Sequence, residues 1–105
     1  MKVLLSGIQP SGNLHIGNYL GAIKQWVELQ KRYKVFITVV DLHAITIPQD
    51  PKELYKKTLE IAALLLACGI DPKKSVLFIQ SHVPAHTELA WILNTITPVG
   101  ELERM

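Results

Sequence analysis

At 105 residues, 49% hydrophobic and 19% charged, the chain has the make-up of one small globular domain or a piece of a larger one, not of a disordered segment. Its formal net charge of +2 is too small to argue for a nucleic-acid partner from composition alone. The single cysteine, Cys68, lies in the apolar run LLLACGI, so a disulfide within the chain is excluded and a reducing compartment is expected.

The first element, KVLLS (Lys2 to Ser6), is predicted as a short buried strand that stops at Gly7. From about Leu14 the spacing turns helical. Ile16, Tyr19, Leu20, Ile23, Trp26 and Val27 fall on one face, with Asn18, Lys24, Gln25, Glu28 and Lys31 largely on the other. VFITVV, Val35 to Val40, is a continuous β-branched and aromatic run, as expected of a strand covered on both faces of a parallel sheet. The next helix has legible ends. Asp50 is placed as N-cap, Pro51 as first helical residue and Glu53 to complete a capping box, while Gly69 marks the stop and Ile70 the hydrophobic contact of a Schellman ending. Because IAALLLAC is apolar nearly all round, deep burial of this helix is expected.

SVLFIQ, Ser75 to Gln80, is predicted as the third strand, and Pro84 to Thr97 carries Leu89, Ile92, Leu93 and Ile96 at helical spacing. Trp26 and Trp91, both on apolar helical faces, are assigned to core packing. Strand alternating with helix three times, βαβαβα, predicts an α/β fold with a parallel sheet, the first half of a doubly wound arrangement with one edge left open. Ligands of such sheets sit beyond the carboxyl ends of the strands. No apolar run approaches the roughly 20 residues of a membrane span, and no secretory signal is legible after Met1, so a soluble, cytoplasmic protein is the expectation.

The loop after the first strand reads SGIQPSGNLHIGNYLGA, Ser6 to Ala22, with glycines at 7, 12, 17 and 21. Glycines admit close ligand approach, and a following helix offers unpaired N–H groups, a combination suited to phosphate. Neither the G-K-[ST] of a P-loop nor G-x-G-x-x-G is present. Within HIGN, His15 can donate to a phosphate oxygen, Gly17 lacks a Cβ that would collide with a nucleotide, and Asn18 offers donors and an acceptor. A helix-start histidine bonded to backbone is the commoner role for His15 taken alone; the glycine spacing favours the phosphate reading. Ser6 and Ser11 have no evident base, so no nucleophile is assigned.

After the second strand comes DLHA, Asp41 to Ala44, facing the same cleft. Asp41 is read as capping its own turn, and a satisfied loop histidine is one reading of His43. His82 and His86 flank VPA with no third ligand apparent, so no metal site is assigned. KRYK (Lys31 to Lys34) and Lys56, Lys57, Lys73 and Lys74 are read as solvated charge.

The opening loop resembles the first signature, H-I-G-H, of class I aminoacyl-tRNA synthetases, in the form found in the tryptophanyl enzymes, where asparagine takes the last position. VVDLHAIT, GIDP, FIQSHVPAHTELAWIL and GELERM are similar to the same family in order and spacing, so the resemblance covers essentially the whole chain. Tyrosyl enzymes lack the Q-P-S-G wording. The resemblance implies a Rossmann-like, HUP-type fold, with residues 1–105 as the N-terminal part of a catalytic domain whose remainder, with the anticodon-binding domain, lies outside this sequence. It further implies ATP binding by Gln9, Pro10, Ser11, Gly17 and Asn18, catalytic roles for His15 and Asn18, and a tryptophan pocket that includes Val40 and His43. Mg²⁺ would be carried by the nucleotide; tryptophan, tRNA(Trp) and a second copy in a homodimer would be the partners. K-M-S-K-S, the family's second signature, is absent from this sequence, so weak or no synthetase activity is expected of the chain by itself. Two other readings stand beside this one: a non-catalytic ATP-binding or scaffold module, and another nucleotidyltransferase with an H-x-G-H loop.

Overall fold

The computed structural model describes residues 1–11, 17 and 19–105. His15 and Asn18 lie outside the described residues, as do the other positions of 12–16. The chain runs from β1 (Val3–Ile8) through a wide π-helical turn (Tyr19–Ile23) into α1 (Lys24–Leu29), then β2 (Lys34–Val39), the single turn α2 (Asp41–Ala44) and the long α3 (Pro51–Ala67). β3 (Val76–Ile79), a 3₁₀ turn (Gln80–His82), α4 (Pro84–Ile96) and α5 (Val99–Glu103) follow. The strands form one sheet in the order β1-β2-β3, parallel throughout, and the α/β expectation holds.

Alternation along the strands divides the sheet into two faces. On one, Val35, Ile37 and Val39 of β2 are fully buried with Ile23 and Trp26 of the first helical segment, Ile61 and Leu65 of α3, and Ile70. Leu4, Ile8 and Leu77 from the outer strands pack against this cluster. Each fully buried Ile or Leu contributes on the order of 2 kcal/mol, so β2 is the structural centre. The opposite face is thinly covered. Val3 and Leu5 of β1 are 67% and 64% exposed there, while the ring of Phe78 meets that of His86 in the first turn of α4, centroids 6.1 Å apart.

Both ends of α3 follow the sequence. Asp50 Oδ1 accepts from the Glu53 amide at 2.9 Å, with Pro51 opening the helix. At the other end Gly69 takes φ 112°, its amide donates to Leu66 O at 3.1 Å, and Ile70 N donates to Leu65 O at 3.1 Å. These are the two bonds of a Schellman motif, and Leu65 and Ile70 are both buried. Gln30, just past α1, holds the chain that follows: its Nε2 donates to Gly69 O at 2.8 Å, and its Oε1 accepts from Asp71 N and Ser75 Oγ, each at 3.0 Å.

Four expectations need correction. β1 does not stop at Gly7, because pairing with β2 continues through Gly7↔Thr38 and Ile8↔Val39, and it is buried on one face only, with Val3 and Leu5 exposed on the other. Tyr19 and Leu20 are not core residues but 41% and 52% exposed; the wide turn that carries them does not keep the angular spacing of an α-helix. α3 buries Thr58, Ile61 and Leu65 on one side while Leu59 and Leu66 remain 46% exposed, so its apolar circumference is half covered. Trp91 is 68% exposed on α4, a helix with no buried residue, whereas Trp26 is buried as expected.

Candidate functional site

Ile8, Val39 and Ile79 lie side by side in the sheet register, so the three strands finish at one level. The connections Gln9–Ser11, Val40–Ala44 and Gln80–His82 therefore leave together at the carboxyl end of the sheet, the position at which open parallel sheets bind ligands. After β1, Pro10 is fully buried while Gln9 and Ser11 are exposed, and Ser11 Oγ donates to Gln9 Oε1 at 3.4 Å. Gly17 is exposed. His15 and Asn18, the residues given catalytic roles, are not among those described.

Val40 extends the β1–β2 ladder by one bond, its N–H donating to Ile8 O at 2.9 Å. It then leaves strand geometry with φ −88° and ψ 69°. A Cβ on Gly7 would stand 2.9 Å from Val40 Cγ1 and 3.4 Å from Thr38 Cγ2. Gly7 is thus glycine because the side chain of Val40 occupies the space beside it; as a strand residue it has no need of positive φ. Among the described residues that conformation is recorded at Gly69.

α2 is too short to be stable by itself, and its surroundings hold it. Ala44 is buried, its N–H donates to Val40 O at 3.2 Å, and its carbonyl accepts from Gln49 Nε2 at 3.1 Å. Val40, not Asp41, is the N-cap position of this turn; Asp41 Oδ1 accepts from the adjacent Leu42 N at 3.0 Å, and the same carboxylate also reaches across the sheet end. Its Oδ1 accepts from Ser81 N at 3.0 Å and its Oδ2 from Ser81 Oγ at 2.5 Å. Sequence reasoning missed Ser81, which stands 40 positions away with no local pattern to mark it. Val40 is half-buried and His43 exposed.

A cavity of about 340 Å³ opens between α3 and these strand ends, lined by Asp41, Leu54, Tyr55, Thr58, Ile79 and Ser81 among others. It lies on the α3 side of Asp41. Thr38 Oγ1 and Gln80 Oε1 are buried without a hydrogen-bond partner, both near the carboxyl end. Among the described residues no three His, Cys, Asp or Glu side chains come together as a metal site would require.

Flush parallel strands, buried on one face and open at their carboxyl ends, define an α/β protein whose cleft is built from the three connections. The chain belongs to the family described as tRNA synthetases class I (W and Y), whose model matches residues 2–105. It is 64% identical over 105 residues to the tryptophan–tRNA ligase of Caldanaerobacter subterraneus subsp. tengcongensis, covering 100% of this chain and 32% of that protein. Its likeness to the tryptophan–tRNA ligase of Clostridium tetani is 64% over 104 residues, 99% of this chain and 31% of that one. Tryptophanyl-tRNA synthetase from Campylobacter jejuni, in a crystal structure complexed with ADP and tryptophan, superposes with a TM-score of 0.92 at 51% identity, over 99% of this chain and 32% of that one. The Mycoplasma pneumoniae enzyme superposes with a TM-score of 0.94 at 41% identity, over 100% and 31%. The chain spans about a third of the length of these relatives. No helix among the described residues is long and apolar enough to cross a membrane.

Proposed function

We propose that the chain is the N-terminal part of the catalytic domain of a tryptophan–tRNA ligase, which activates tryptophan with ATP and esterifies tRNA(Trp) in the cytoplasm, as a homodimer. The observation that carries this reading is the 64% identity to tryptophan–tRNA ligases along the whole chain, coupled to a cleft at the carboxyl ends of the strands. In the reaction the tryptophan carboxylate attacks the α-phosphorus in line, the bond to the bridging oxygen breaks, and pyrophosphate leaves with that electron pair. Such a displacement needs positioning and charge stabilisation more than covalent help. Gln9, Ser11, Gly17 and Asn18 contact the nucleotide in this reading, with the fully buried Pro10 shaping the loop between Gln9 and Ser11, His15 and Asn18 stabilise the charge that builds on the leaving pyrophosphate, and Val40 and His43 form part of the indole pocket. Mg²⁺ would be carried by the triphosphate and would supply charge neutralisation there.

For the 105 residues by themselves, the exposure of Val3, Leu5, Trp91 and Ile92 favours the non-catalytic, nucleotide-binding reading. The family match along residues 2–105 leaves a different H-x-G-H nucleotidyltransferase without support. The test is tryptophan-dependent exchange of labelled pyrophosphate into ATP, run with a full-length chain beginning with these residues and with the 105-residue chain. Exchange by the former that tyrosine does not support, and that His15→Ala with Asn18→Ala lowers by about a hundredfold or more, is the expected result. Exchange that follows tyrosine, or that the double variant leaves intact, would overturn the reading.

A further inference from the structure

We infer that Ser81 is a positioning residue for the amino-acid side of the cleft, acting on Val40 and His43 through Asp41. The inference rests on the function proposed above for what the cleft binds, while the link itself rests on geometry. α2 begins at Asp41, next to Val40 where the backbone departs from the strand, and His43 is two residues on. A single helical turn has no cooperative stability with which to hold a side chain in place, so what fixes α2 against the sheet also fixes His43. The carboxylate of Asp41 accepts three bonds: Leu42 N at 3.0 Å within its own turn, then Ser81 N at 3.0 Å and Ser81 Oγ at 2.5 Å.

The last two bonds bridge the carboxyl ends of β2 and β3. They attach α2 to the 3₁₀ turn Gln80–His82, whose own amide bond, Val83 N to Gln80 O at 3.1 Å, keeps it closed. The bond from the hydroxyl engages a carboxylate oxygen, a strong acceptor, and its loss would remove the tie between Oδ2 and the 3₁₀ turn. α2 would then pivot on Ala44 and on the one remaining bond to Ser81 N, carrying His43 with it. β1, which Gln9–Ser11 follow, lies on the other side of β2 from β3, and no described hydrogen bond joins Gln9, Pro10 or Ser11 to Ser81.

The experiment compares Ser81→Ala and Ser81→Thr in a full-length chain beginning with these 105 residues. Pyrophosphate exchange is followed against tryptophan and ATP separately, and the His43 ring is observed by NMR in protein labelled with ¹³C-histidine, assigned with His43→Asn. Ser81→Ala is expected to raise KM for tryptophan about tenfold, leave KM for ATP and kcat within about twofold, and shift or broaden the His43 ring resonance. Ser81→Thr, which keeps the hydroxyl, restores both readouts. A His43 resonance that Ser81→Ala leaves in place overturns the inference, as does a rise in both KM values together. Absence of tryptophan-dependent exchange in the unsubstituted protein would sink the proposed function, and the His43 resonance would still decide whether Ser81 positions α2.

Discussion

Gly7 shows how one missing methyl group can serve a neighbour. Its absent Cβ leaves room for Val40 Cγ1, which an added carbon would approach to 2.9 Å, and Val40, being β-branched, has few rotamers into which to retreat. Gly7→Ala is therefore expected to lower stability by about 1–3 kcal/mol despite alanine's better fit to strand backbone, measured by urea unfolding. A paired Val40→Ala, Gly7→Ala variant should recover part of that loss; equal stabilities for Gly7→Ala and the parent would show that Val40 yields freely. Glu28 makes a different residue-scale point. A hydrogen bond from Lys31, 2.8 Å to Glu28 Oε2, and the charge of Lys31 hold its carboxyl below the usual range. With the folded value depressed, the pair's contribution is present above the unfolded pKa and disappears as pH falls through the folded one. Both side chains are exposed, so salt weakens the pair. The Glu28 carboxyl titration followed by NMR should move back up towards the ordinary carboxylate range on Lys31→Ala; a midpoint unmoved by that substitution would assign the depression to something else.

At the scale of elements, α3 is the helix whose ends are most fully specified. Asp50→Ala removes the acceptor for the Glu53 amide and is expected to cost about 1 kcal/mol. Gly69→Ala forces a Cβ into φ 112° and is expected to cost about 1–2 kcal/mol. The two should add, because they act at opposite ends of a 17-residue helix; thermal melts of the single and double variants test this. The caps were legible because each is written within four residues of sequence. Which side of the helix is covered was not. Thr58, Ile61 and Leu65 are buried and Leu59 and Leu66 are not, although the stretch is apolar nearly all round, because coverage depends on where β2 lies. The same cause explains Trp91, whose helical spacing was read correctly but which stands on a helix that buries none of its residues. Strand existence and order of appearance were legible from composition; the end of β1 was not, since it depends on Thr38 and Val39 offering partners to Gly7 and Ile8. Of the cleft, the loops after β1 and β2 were found from their residues, whereas Ser81 needed the fold to bring it to Asp41.

Taken whole, the molecule has a radius of gyration of 15.2 Å, above the roughly 13 Å of a compact chain near this length. The excess fits an uncovered sheet face and an α4 that buries none of its residues. Leu5 on β1 and Leu89, Trp91, Ile92 and Ile96 on α4 are each more than half exposed, a density of apolar surface that promotes association. The 105-residue chain is expected to sediment with a concentration-dependent mass, and Leu5→Lys with Ile92→Lys should reduce that dependence; a monomer across the concentration range would contradict it. Fluorescence offers a second view. Acrylamide should quench Trp91 readily and Trp26 poorly, so Trp91→Phe leaves a blue-shifted, protected emission.

The order β1-β2-β3 also bears on how the chain leaves the ribosome. β2, the strand richest in buried side chains, has both of its hydrogen-bonding neighbours within the first 79 residues, and synthesis proceeds at about 5–20 residues per second. Its two ladders can close within seconds of Ile79 clearing the exit tunnel, with no partner required from anything translated afterwards. β1 and β3, by contrast, take the outer positions, each with one edge that no other described strand pairs during that interval. A nascent chain paused at this stage would present a finished centre and an unguarded border, and that border is where a holding chaperone has most to shield.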